Sequence, residues 1–168
     1  MRRTLAWTAV VVTALLLQST IFAQLKLGGA KPELMYLVTI ILAMLEGPSS
    51  GAIGGFTAGM AQDFLLDQPK GITALTLTLV GYAVGIVRQY ITTPSPALPT
   101  LLVGAGTAAG LVFYGLISFL LGQLSTGLLF VLRIAVLTGI YNALLTPLLF
   151  PVLRRVAELS RPSKVHRW

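Results

Sequence analysis

GPSSGAIGGFTAGMAQDFLLD, residues Gly47–Asp67, puts glycine at 47, 51, 55 and 59 and aspartate at 63 and 67. In a helix, each step of four residues advances about 40° around the axis, so the glycines form one bare ridge. Glycine weakens a helix in water, and such a ridge is hard to justify in a soluble protein. Inside a bilayer the same ridge allows a second backbone to come close. The stretch therefore predicts a membrane-embedded helix with a tight packing face that ends in acids.

The rest of the chain agrees. Of 168 residues, 55% are hydrophobic and only 10% charged, and the mean hydropathy is +0.86. A soluble domain carries about 25% charged residues. The formal charge of +7 sits beside apolar runs, which points to lipid headgroups on the anionic inner leaflet rather than to nucleic acid. There is no cysteine and a single histidine, His166 near the C-terminus. No nucleophile–base pair, metal-ligand set or phosphate loop can be assembled, so no catalytic residue, cofactor or metal is expected.

The apolar runs predict an all-α integral membrane protein of six transmembrane helices, at about 4–25, 33–46, 49–64, 71–88, 100–121 and 128–153. Together they make one domain, 1–153, followed by a basic cytoplasmic tail, 154–168. The first run, 22 uncharged residues from Thr4 to Leu25, is too long for a signal-peptide core and reads as an uncleaved helix. Leu34–Leu45 holds only 12 uncharged residues against the ~20 of an ordinary span, which leaves a re-entrant hairpin open. Arg2, Arg3, Arg88, Arg154, Arg155, Arg161, Lys164 and Arg167 fall on one side, and Lys26, Lys31 and Lys70 on the other. By the positive-inside rule both termini are cytoplasmic and the number of crossings is even.

Two sets of residues stand out. Gly47, Gly51, Gly55, Phe56 and Gly59 form the ridge, which serves either packing within the chain or the docking of a partner. Asp63 and Arg133 are expected to form an intramembrane ion pair, because each is too expensive to leave unpaired in lipid. Asp67 reads as a solvated helix exit. Gln18 and Asn142, lone amides inside spans, read as interhelical hydrogen bonds.

These residues also carry a resemblance. LLLQ at Leu15–Gln18, KPEL at Lys31–Leu34, Gly55-Phe56-x-x-Gly59-x-x-x-Asp63, then Gly71, Ala74-Leu75, Gly81-Tyr82 and Pro147 before Arg154-Arg155 resemble the bacterial rod shape-determining MreD family. The resemblance implies a non-enzymatic, multi-pass protein of the bacterial inner (plasma) membrane that regulates cell shape and peptidoglycan synthesis. It implies direct binding of MreC through the transmembrane bundle. The wider elongation machinery would include MreB, RodA and a penicillin-binding transpeptidase. The family is similar in fold to the S components of energy-coupling-factor transporters. The alternative function is therefore substrate binding for a vitamin or ion transporter, with Asp63, Arg133, Gln123 and Asn142 as the available polar groups.

Overall fold

The computed structural model describes residues 2–21, 29–65, 71–91, 95–123 and 127–160, with side chains from Leu5 on. Six helices follow in order: α1 (Arg2–Thr20), α2 (Leu34–Glu46), α3 (Pro48–Leu65), α4 (Ile72–Tyr90), α5 (Leu98–Leu120) and α6 (Leu128–Ser160). Among the described residues there is no strand. Three helices, α4, α5 and α6, are long and apolar enough to cross a membrane, and α1 and α2 contain shorter apolar stretches. Large apolar side chains such as Leu16, Phe119, Leu129 and Leu148 point outward, as lipid-facing residues do. Asp67, Lys26, Lys70 and the tail beyond Ser160 lie outside the described residues.

The arrangement is organised by its shortest apolar helix. α2, with the sequence LMYLVTIILAMLE, is buried from Leu34 through Ala43 and touches each of the other five helices. Apolar side chains on all of its faces fit a helix surrounded by protein rather than one facing lipid on one side. At ~1.5 Å per residue it is about 20 Å long, some 10 Å less than a bilayer core. The non-helical approach to it is buried as well: Ala30 is 1% exposed and Glu33 is 9% exposed. Non-helical backbone is tolerated at membrane depth only where protein or water satisfies it.

One residue, Gly47, separates α2 from α3. Its φ of +92° and ψ of 177° lie in a region essentially reserved for glycine, where other residues pay about 1–3 kcal/mol. A methyl group there would meet nothing within 4 Å, so Gly47 serves the turn and takes no part in the packing ridge. α3 folds back against α2 and α4, α5 packs on α4 and α2, and α6 pairs with α5. α1 is held by α2 and α6. α6 contains Pro147 and Pro151 and continues through Arg154 and Arg155 to Ser160, past the expected end of the sixth span at 153. There Arg154 Nε donates to Glu158 Oε1 at 2.8 Å, one turn away.

Candidate functional site: a glycine seam and a polar hub

α3 and α4 meet backbone to backbone. A Cβ on Gly51 would stand 2.7 Å from the Gly81 carbonyl oxygen, and one on Gly55 would stand 2.6 Å from the Leu77 carbonyl carbon. A Cβ on Gly59 would be 2.6 Å from the Ala74 nitrogen, and one on Gly85 would be 2.6 Å from the Pro48 nitrogen. Real Cβ atoms do not sit this close to backbone, so alanine at any of these positions forces the two helices apart. The bare ridge of Gly51, Gly55 and Gly59 is therefore occupied by the chain's own α4, and no partner can dock on it. Phe56 faces the other way and is 52% exposed.

The acid at the end of the ladder completes the same seam. Asp63 is fully buried, and its Oδ2 accepts hydrogen bonds from the N–H groups of Gly71 (2.8 Å) and Ala74 (3.2 Å). Gly71 is the N-cap of α4, and the first N–H groups of a helix have no partner within it. Asp63 thus caps α4 from the neighbouring helix, at its positive end. The spacing from Gly55 and Gly59 to Asp63 follows: the glycines admit α4, and one turn on the carboxylate reaches its start.

This corrects the expected Asp63–Arg133 pair. The carboxylate is answered by backbone amides and a helix terminus, and Arg133 is exposed. The four polar groups considered for a transport site do not converge either. Gln123 is exposed, and Asn142 is engaged elsewhere.

That engagement is the second centre, around Glu33 at the start of α2. Gln18 Nε2 of α1 donates to Glu33 Oε2 at 2.8 Å, and Gln62 Nε2 of α3 donates to the same oxygen at 3.2 Å. Lys31 Nζ stands 3.5 Å from Oε1. Asn142 of α6 accepts from the Glu33 N–H at 3.1 Å and donates to its carbonyl at 2.9 Å. The same amide donates to Thr107 Oγ1 of α5 at 3.1 Å, and Gln18 Oε1 accepts from the Met35 N–H at 3.3 Å. Side chains from α1 and α6 thereby satisfy two N–H groups at the start of α2 that no helical carbonyl can reach. Gln18 and Asn142 are interhelical hydrogen bonds, as expected from their isolation in apolar runs. Glu33 and Gln62 were not foreseen as members of this hub. The usable signal was that each amide needed a partner at its own depth.

Two apolar clefts flank α1. One, of about 530 Å³, lies between α1 and α3 with Leu42 of α2 at its floor, and is lined by Trp7, Val11, Ser50, Ile53 and Thr57 among others. The Trp7 indole is 7% exposed and its N–H has no partner. The other, of about 430 Å³, lies between α1 and α6. Among the described residues no group of three or more His, Asp or Glu could hold a metal ion.

No curated protein and no solved structure matched the chain. One family model did: that of the rod shape-determining protein MreD, over residues 1–156. With 156 residues matched, and with glycine seam and capping aspartate both inside the match, the chain belongs to the MreD family.

Proposed function

We propose that this chain is a non-enzymatic scaffold of the rod-shape machinery in the bacterial inner membrane. It crosses the membrane six times with both termini in the cytoplasm, as one domain, 1–153, with a basic tail. Its direct partner is the single transmembrane helix of MreC, which links it to MreB, RodA and a penicillin-binding transpeptidase. Membership of a shape-determining family supports the role, and the charge distribution along the chain supports the topology.

The observation that carries the docking is the cleft between α1 and α3. Its walls are apolar with small residues, Ser50, Gly54 and Ala61 among them, the composition that favours helix–helix packing in lipid. The glycine ridge no longer competes for this part, because α4 covers it.

The chain has no cysteine, so single cysteines report cleanly. Cysteine at Ile53 or Thr57 is expected to crosslink to MreC in membranes, whereas cysteine at Leu116 or Ile140 on α5 and α6 is not. Crosslinking confined to the α5–α6 face would overturn the docking site. The vitamin-binding form of the transporter reading lacks room at the polar hub: the cavity there is about 70 Å³, against the ~300 Å³ or more that organic ligands occupy.

A further inference from the structure

We propose that the polar hub contains a binding site for a small monovalent cation of the sodium or potassium class. The site is the cavity of about 70 Å³ lined by Glu33, Tyr36, Gln62, Thr73, Leu111 and Tyr114. Three of these side chains, Tyr36, Gln62 and Thr73, are each 2% exposed. Each has an oxygen without a hydrogen-bond partner: Tyr36 Oη, Gln62 Oε1 and Thr73 Oγ1. Orphaned buried polar atoms are rare in folded proteins, and three around one cavity call for a guest.

The atoms define the guest. The Gln62 amide nitrogen is committed to Glu33 Oε2, which fixes the orientation of the amide and leaves its acceptor oxygen without a partner. All three orphans are oxygens, and Glu33 adds a carboxylate whose Oε1 has Lys31 at 3.5 Å. Hard oxygen ligands select hard cations, and a carboxylate already paired with the Lys31 ammonium leaves too little negative charge for calcium or magnesium, so a singly charged ion is the fit. Asp63 adds to the negative potential at this end of the bundle. It follows Gln62 in sequence, its Oδ2 bonds the Ala74 N–H beside Thr73, and its Oδ1 has no partner. The small volume excludes organic ligands. The oxygens come from the start of α2, from α3 and from α4, so a bound cation fastens the central helix to two of its neighbours.

The test uses the full chain purified in detergent, with thermal unfolding followed in sodium, potassium or choline chloride at equal ionic strength. Sodium or potassium is expected to raise the midpoint saturably above its value in choline, which is too large to enter. Thr73→Val and Gln62→Met, which remove ligand oxygens at nearly constant volume, are expected to raise the half-saturating concentration at least tenfold. Equilibrium dialysis of the unaltered chain against radioactive sodium or potassium gives an independent readout should a variant fail to fold. Identical midpoints in all three salts, with no bound sodium or potassium, would overturn the proposal and make the cavity a water site.

Discussion

The α3–α4 seam and the Glu33 hub solve the same problem in opposite ways. Both hold helices together in a molecule whose apolar surface gains little from leaving lipid. The seam does so by removing side chains: Gly51, Gly55, Gly59, Gly81 and Gly85 bring backbones together over about three turns, where dispersion contacts accumulate. The hub does so by adding polar side chains, with Gln18, Gln62, Thr107 and Asn142 converging on one short stretch around Glu33. The seam tolerates no added atom, while the hub tolerates changes of shape that keep its donors and acceptors. α5 uses both kinds of contact: a Cβ on Gly139 of α6 would stand 2.7 Å from the Gly104 carbonyl oxygen. A Cβ on Gly106 would meet the Ile40 side chain at 2.8 Å, the movable end of a neighbour rather than backbone.

The sharpest way to break the contrast is to fill the seam. Gly55→Leu is expected to abolish the folded state, exceeding the ~3 kcal/mol of ordinary overpacking because the obstruction is backbone. Gly47→Ala, which meets open space but keeps a glycine-only backbone conformation, is expected to cost about 1–3 kcal/mol. Detergent-phase melting of both proteins would separate the ridge from the turn, and equal losses would contradict the seam.

Opening the hub comes next. Asn142→Leu leaves the Glu33 N–H and carbonyl and Thr107 without their amide, and is expected to cost about 2 kcal/mol. Asn142→Gln should recover part of that in the same melting assay. Third is the cap of α4. Asp63→Leu is expected to lose about 1–2 kcal/mol and Asp63→Asn less, since an amide oxygen still accepts from Gly71 and Ala74. Combining Asp63→Arg with Arg133→Asp should rescue nothing, and a rescue would restore the ion pair that the geometry denies. The smallest effect belongs to neither region. Glu158→Ala, which breaks the exposed pair with Arg154, is expected to change stability by under ~0.5 kcal/mol, measurable as a melting shift that salt removes.

The seam was legible in the sequence because glycine spacing has one physical reading in lipid, although the spacing included Gly47, which belongs to a turn. The role of Asp63 was not legible, since its partners are backbone N–H groups that every residue but proline carries. Pairing it with Arg133 followed from a sound premise, that buried charge needs compensation, but overlooked a helix terminus as the source. Glu33 gave no such signal, because a charge flanking an apolar run can equally snorkel to the headgroups. The helix it precedes looked too short to span, and that shortness is what draws the carboxylate inside.

The burial of α2 also sets the order in which the protein can be made. A helix enclosed on every side cannot arrive last, and two of its five neighbours, α5 and α6, emerge from the ribosome well after it. Until they do, the polar stretch before α2 lacks Thr107 and Asn142 and is only half satisfied. Early in synthesis α2 is therefore an unfinished surface, protected by α1 and the α3–α4 pair, and the bundle closes when the last helix delivers its amide.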